Sequence, residues 1–174
     1  QQGSLIEEHG LVRFSKEHAP GIPNRISLSC EFAELLGFYC AEGSVSLSKG
    51  RVLSATLSFA FGKKEQDKAE RTQFLLKKLF GIKAYLVHRD TTLAATTGKT
   101  SLALLFKALC GARGSAKRVP EPLFSAKREV VQAFLDAYVA GDGYRAKDGQ
   151  IRISTISEEL AWGIAWLVQK LGHL

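Results

Sequence analysis

The chain has 174 residues, 45% hydrophobic and 24% charged, a composition that fits a soluble globular protein and argues against disorder. Its 24 lysines and arginines outnumber its 17 aspartates and glutamates, and this basic balance favours an anionic partner, nucleic acid first. Apolar runs such as 102–106 are too short to span a bilayer, and the start has no signal-peptide core. We therefore expect no membrane partner and a reducing, cytoplasmic location, where three cysteines without a CxxC pair predict neither zinc nor disulfides.

The first part of the chain divides into a lead-in and a regular unit. Residues 1–30 contain Pro20, Gly21 and Pro23 and predict a poorly structured segment. The unit that follows, 31–111, shows periodicities for a helix, two strands, a helix, two strands and a helix. We place these elements at 31–41, 44–48, 53–61, 65–79, 82–88, 92–96 and 101–109, with Gly43 as a left-handed end of the first helix.

A basic linker, 112–122, precedes a second unit that restarts the same order. The second unit, 123–174, reads as helix, strand, strand, helix, and we place these elements at 127–140, 144–147, 150–155 and 157–171. Ser157 is a plausible N-cap of the last helix. Compared with the first unit, the second lacks a strand pair and a helix, so we expect an incomplete second half.

The helices that open the two units carry matched segments, LLGFYCAEG at 35–43 and LDAYVAGDG at 135–143. Each has small residues four positions apart, which lie on one helix face. A face without bulk allows two helices to approach closely, so we predict that the helices pair there. The predicted interface residues are Gly37, Ala41, Ala137 and Gly141.

Each of these helices delivers one carboxylate, Glu42 or Asp142, at its C-terminal end. A helix C-terminus is partly negative, so two carboxylates meeting there repel unless protons or metal ions neutralise them. Oxygen ligands beside phosphate favour Mg²⁺, and carboxylates that hold metal at a scissile phosphate are suited to phosphodiester hydrolysis. We predict that Glu42 and Asp142 are catalytic metal ligands.

The two segments resemble the paired motifs of the LAGLIDADG homing endonucleases, and residues 22–43 and 119–143 are especially similar to the endonuclease portions of archaeal inteins. The resemblance implies an α+β fold of two pseudo-symmetric αββαββα halves, with the motif helices at their interface and antiparallel sheets in the DNA major groove. It implies a monomeric, site-specific double-stranded DNA endonuclease that leaves short 3′ overhangs, with self-association as the expectation for an incomplete second half.

The resemblance also implies further residues of the active site. Backbone carbonyls of Ala41 and Gly141 are implied as metal ligands beside Glu42 and Asp142. A catalytic lysine is implied near the end of the second strand of each half, where Lys63 or Lys64 fits in the first half. The second half reads Ser-Thr-Ile-Ser at 154–157 and has no lysine there.

The polar faces of the predicted strands supply a DNA-binding surface, because a two-stranded ribbon fits the major groove and its polar side chains read bases or phosphates. A solvated sheet face has the same pattern, and the basic hairpin tips favour DNA. The predicted contacts are Ser46, Ser48, Lys49, Arg51, Ser54, Thr56, Ser58, Lys83, Tyr85, Arg89, Arg145, Lys147, Gln150 and Arg152.

Two alternatives to a homing endonuclease stay open. The missing elements and the unmatched lysine favour a cleavage-inactive DNA- or RNA-binding relative, such as a maturase or a decayed intein remnant. A purely structural interaction domain is disfavoured, because two acidic helix ends contribute nothing to packing. Plasmid nicking in Mg²⁺ or EDTA distinguishes an enzyme from a binding protein.

Overall fold

A computed structural model of the chain describes residues 4–18, 20–49, 53–147 and 150–172. Within these ranges no helix is long and apolar enough to cross a membrane. The strands are β1 (Leu5–Glu8), β2 (Leu11–Phe14), β3 (Ile22–Pro23), β4 (Gly43–Lys49), β5 (Leu53–Gly62), β6 (Tyr85–His88), β7 (Thr92–Thr97), β8 (Gly143–Arg145) and β9 (Ile151–Ile153). The helices are α1 (Cys30–Glu42), α2 (Gln66–Phe80), α3 (Thr100–Cys110), α4 (Arg128–Asp142) and α5 (Glu158–Lys170). Short 3₁₀ turns span Gly114–Ala116 and Glu121–Ser125.

The fold is α+β and repeats its element order, as predicted. The order α1-β4-β5-α2-β6-β7-α3 is the αββαββα half, and α4-β8-β9-α5 begins the same order again. Two compact units divide the chain differently from the predicted halves. One contains residues up to 27 with 44–108, and the other contains 28–43 with 109–174. Helix α1 therefore groups with the second repeat, because its small-residue face packs on α4.

The lead-in is not poorly structured, contrary to the prediction. Strands β1, β2 and β3 form an antiparallel sheet in which Leu5 pairs with Phe14. The connection between β1 and β2 turns through His9 and Gly10, which both have positive φ angles, of 51° and 76°. Phe14 is buried in this sheet. The two prolines and the glycine mark the loop and the short edge strand β3, where a residue without an N–H is tolerated.

A carboxylate fixes this sheet to the rest of its compact unit. Glu17 accepts a hydrogen bond from the backbone N–H of Ser101 at 3.1 Å, in the first turn of α3. The Lys99 ammonium lies 3.6 Å from the same carboxylate and donates to the His18 carbonyl at 2.8 Å. Glu17 thus satisfies an N–H group that lacks an intrahelical partner. Local periodicity does not reveal a partner 84 residues away.

The main sheet of this unit has the strand order β4-β5-β7-β6 and follows the predicted alternation. Ala55, Leu57, Phe59 and Phe61 of β5 are buried, and Phe59 meets Phe106 of α3 edge to face at 5.9 Å. The strand predicted at 82–88 begins only at Tyr85. The reason lies in α2, where the Gln73 side-chain amide donates to the Ala84 carbonyl at 2.6 Å in place of a strand neighbour.

Candidate active site

Helices α1 and α4 pack at the small residues predicted to form their interface. A Cβ atom on Gly37 would overlap the carbonyl oxygen of Phe134 and lie 2.8 Å from the Cβ of Ala137. A Cβ atom on Gly141 would lie 2.5 Å from the Cβ of Ala41. Side-chain size at the contact sets the distance between two helices, so these four positions allow the close approach.

The close approach brings the two acidic helix ends together. Helix α1 ends at Glu42 and α4 ends at Asp142. A Cβ on Gly141 would lie 3.3 Å from the Cγ of Glu42, so the Glu42 side chain runs past the residue that precedes Asp142. Two carboxylates therefore meet the partly negative C-termini of two helices, the arrangement that favours a bound cation.

The glycines that follow the carboxylates are not left-handed, and the prediction of a left-handed helix end at Gly43 is wrong. Gly43 has φ −82° and ψ 153°, and Gly143 has φ −88° and ψ 143°, so both are extended rather than left-handed. Each glycine begins a strand directly. A Cβ on Gly43 would overlap the Tyr39 ring, and one on Gly143 would overlap the Val139 carbonyl oxygen. Glycine is needed at both positions for space, so that a strand can leave each helix end without a loop.

A cleft of about 330 Å³ opens beside Asp142 within the second compact unit. Its walls come from the end of α1, the linker, the end of α4 and the segment between β9 and α5. The lining residues are Cys40, Ala41, Gly114, Lys117, Asp142, Ser154, Thr155 and Ile156. The cleft therefore joins a motif carboxylate to Lys117, a residue of the basic linker.

Lys117 points its ammonium group at the end of α1. Its Nζ donates to the carbonyl oxygens of Cys40 at 2.9 Å and Ala41 at 3.0 Å, and it lies 5.7 Å from the centre of the Tyr39 ring. The last four carbonyls of a helix have no intrahelical partner, so Lys117 satisfies two of them. The Ala41 carbonyl, implied as a metal ligand, keeps a second lone pair beside this bond.

Opposing electrostatic effects act on the charged groups of the site. Burial lowers the pKa of Lys117, and the acidic groups around it, Asp142 and Glu42 among them, act in the opposite direction. Burial raises the pKa of Asp142, and Lys117 opposes that rise. Lys117, Asp142 and Glu42 therefore form one electrostatic cluster. Two carboxylates against one ammonium leave a net negative charge when all are ionised, which suits a cation.

The residues fit a divalent ion with few protein ligands. Within the described ranges, no group of three or more His, Cys, Asp and Glu side chains is arranged to hold a metal. An ion at the two carboxylates would complete its coordination with backbone oxygens, water or phosphate, which is the usual preference of Mg²⁺.

The catalytic role of Lys63 or Lys64 stays a prediction. Lys63 and Lys64 are exposed in the turn after β5 and belong to the first compact unit. The second unit has no lysine at 154–157, and the structure places that segment on the cleft wall with Lys117. No sequence pattern marks Lys117, since the approach of linker, helix and loop is tertiary. The absence of a lysine at 154–157 in the second half was the one sequence feature that could have led to Lys117.

Most predicted DNA contacts lie on exposed surface. Ser46, Ser48, Ser54, Thr56, Lys83, Tyr85 and Arg89 are exposed in the first compact unit, as are Lys147, Gln150 and Arg152 in the second. Ser58 is only half-exposed, and its hydroxyl shares a hydrogen bond of 3.0 Å with Thr96. Arg51 lies outside the described residues, as do the side chains of Lys49 and Arg145. The role of the exposed residues in binding DNA stays a prediction.

Residues 29–107 and 129–174 match the sequence profile of the LAGLIDADG-like domain. The chain is 32% identical over 147 residues to a DNA polymerase of Thermococcus sp. (strain GE8), which covers 84% of this chain and 8% of the polymerase. It is 30% identical over 167 residues to an uncharacterised protein of Methanocaldococcus jannaschii, which covers 91% of this chain and 18% of that protein. The chain thus spans less than a fifth of the length of either relative.

The fold is also similar to solved structures. The crystal structure of I-DmoI in complex with DNA and Mn superposes with a TM-score of 0.65 and 19% identity, covering 84% of this chain and 80% of that one. At this identity the likeness concerns the fold alone. The profile match covers both acidic helix ends and most of the chain, and the chain therefore belongs to the family of LAGLIDADG-like domains.

Proposed function

We propose that this protein is a site-specific double-stranded DNA endonuclease that hydrolyses phosphodiester bonds with the help of divalent metal ions, Mg²⁺ by preference. The observation that carries the proposal is the cleft in which Asp142, Lys117 and the Glu42 end of α1 come together. An acidic pair beside a buried ammonium suits a phosphodiester substrate.

The comparisons support this proposal in two ways. The solved I-DmoI structures include complexes with DNA in the presence of Mn and of Ca, so that fold can hold both DNA and divalent ions. The relatives of this chain include a DNA polymerase and an A-type ATP synthase subunit of Pyrococcus abyssi, matched over 8% and 14% of their lengths. Proteins with unrelated names that share one small region suggest an endonuclease domain carried within host proteins.

In the proposed reaction Glu42, Asp142 and Lys117 have different roles. Glu42 and Asp142 hold the metal ions through their ionised carboxylates. When bound, such ions polarise a phosphoryl oxygen and promote formation of hydroxide from water. The Lys117 ammonium holds the Cys40 and Ala41 carbonyls, which fixes the end of α1 and so the position of Glu42. Its positive charge also offsets negative charge that develops on the phosphate.

The test is cleavage of plasmid DNA that carries the natural sequence flanking the open reading frame. With Mg²⁺ we expect linear product cut at one position, and with EDTA we expect intact plasmid. A protein that binds this DNA tightly and cuts it in neither Mg²⁺ nor Mn²⁺ would be a binding relative rather than an endonuclease. Cleavage that persists in EDTA would contradict the role of metal.

A further inference from the structure

The side chain of Ser157 connects two parts of the cleft that are far apart in sequence. Its hydroxyl accepts a hydrogen bond from the backbone N–H of Leu160 at 3.2 Å, which caps α5. The same hydroxyl donates to the carbonyl oxygen of Lys117, 40 residues earlier. Ser157 is 1% exposed, so both bonds lie out of reach of water.

A capping serine needs only its acceptor. Ser29, for example, accepts a hydrogen bond from the Phe32 N–H at 3.2 Å at the start of α1. A hydroxyl has one hydrogen and two lone pairs, so a capping serine still has a donor available. At Ser157 that donor goes to the backbone of Lys117, which lines the cleft and whose ammonium donates to the end of α1.

Other hydrogen bonds around Ser157 and Lys117 make the Ser157–Lys117 bond important for the placement of Lys117. The Ser157 N–H donates to the Thr155 hydroxyl at 3.1 Å, which folds the cleft-lining segment onto the start of α5. The Lys117 N–H donates to the Gly114 carbonyl at 3.2 Å. The Lys117 main chain is therefore held within the linker on one side and by Ser157 on the other. The position of its Nζ depends on both.

We propose that Ser157 is a positioning residue of the active site: its hydroxyl holds the Lys117 main chain so that the ammonium meets the end of α1 beside Asp142. This inference rests on the proposed function for its effect on cleavage, while the placement of Lys117 is measurable without any reaction. Small displacements of a catalytic group reduce rates steeply, by on the order of 100-fold for about 1 Å.

Three substitutions separate the two bonds of Ser157. Ser157→Thr keeps donor and acceptor, Ser157→Asp keeps only the acceptor that caps α5, and Ser157→Ala keeps neither. Single-turnover cleavage and DNA affinity are measured for each, together with thermal unfolding. We expect Ser157→Asp and Ser157→Ala, which both lack the donor, to cleave more slowly than wild type by roughly 10- to 100-fold with little change in DNA affinity. Ser157→Thr should restore the rate.

A second readout follows Lys117 itself. The rate at which an amine-reactive ester labels Lys117, read by mass spectrometry of the folded protein, should rise in Ser157→Asp and stay near wild type in Ser157→Thr. If the threonine side chain of Ser157→Thr does not fit this buried site, the comparison of Ser157→Asp with wild type still tests the proposal. Wild-type cleavage and labelling in Ser157→Asp would overturn the proposal. A wild-type protein that cuts no DNA would refute the proposed function, and the labelling rates would still test the placement.

Discussion

The ammonium nitrogen of Lys117 lies 3.0 Å from the backbone carbonyl oxygen of Ala41, one residue before the carboxylate that ends α1. The linker between the two repeats thereby contacts the first motif helix at its functional end. Lys117 also lines the cleft with Asp142 of the second motif helix. One side chain thus connects both halves of the proposed site.

Replacing Lys117 with methionine tests this connection. Lys117→Met keeps a side chain of similar length but removes the hydrogen-bond donors to two carbonyl oxygens. We therefore expect the rate of cleavage to fall by at least about 100-fold, which is the scale of one lost electrostatic contact. Because burial lowers the Lys117 pKa, the unfolded chain binds this proton more tightly, and wild-type stability gains as pH rises toward 10.5. The difference in unfolding free energy between wild type and variant should therefore grow in favour of wild type between pH 7 and 10.5 (roughly the ordinary lysine pKa). A difference that does not change with pH would contradict the buried, perturbed amine.

The carboxylates are tested by isosteric amides. Glu42→Gln and Asp142→Asn should abolish strand cleavage and leave DNA affinity largely unchanged, because we propose that the carboxylates bind metal ions and do not contact the DNA bases. Burial raises the Asp142 pKa, so folding makes the ionised carboxylate less favourable than it is in the unfolded chain. Asp142→Asn is therefore expected to be at least as stable as wild type. DNA affinity is measured by fluorescence anisotropy. A folded variant that cleaves DNA at the native rate would show that the substituted carboxylate is not part of the active site.

The tight helix contact is tested with alanine at Gly37. An added methyl group would collide with the Phe134 backbone, and we expect a loss of about 1–3 kcal/mol in unfolding free energy. Gly98→Ala is the matched control, since a Cβ there would meet no atom within 4 Å. Urea unfolding compares the two. Equal stabilities would show that α1 and α4 do not approach through this face.

DNA binding should depend strongly on salt. Each lost phosphate contact lowers the slope of log affinity against log salt by roughly 0.9. We expect that reduction for Lys83→Ala, because its exposed ammonium lies on the predicted DNA-binding surface, 5.5 Å from the centre of the Tyr85 ring. Tyr85→Phe keeps the ring and serves as the control with an unchanged slope. Affinity that does not vary with salt would contradict DNA as the partner.

The carboxylate of Glu17 should contribute strongly to stability. Its side chain and that of Lys99 are only 7% and 12% exposed, so removing one partner leaves a nearly buried charge. We expect Glu17→Ala to lower the unfolding free energy by about 3–5 kcal/mol. Glu8→Ala breaks an exposed pair with Arg13 and should cost no more than about 1 kcal/mol. Similar losses in both variants would argue against a role for burial.

The sequence alone was sufficient for features that repeat along the chain. Alternating apolar residues predicted β5, and the helical periodicity with small residues four apart predicted that α1 and α4 pair at Gly37 and Ala137. These features were predictable because each depends on neighbours within one or two turns, or on a motif that occurs twice. The repeat also identified Glu42 and Asp142 as the candidate carboxylates.

Only the tertiary structure decided which distant groups meet. Lys117 enters the cleft through a linker without periodicity, and Ser157 was predicted only as a cap. Glu17 was assigned to a poorly structured segment on the evidence of the prolines and glycine after it, and its partners lie more than 80 residues away. A hydrogen bond or ion pair between such positions leaves no periodic pattern in the sequence, since its geometry arises only when separate elements pack.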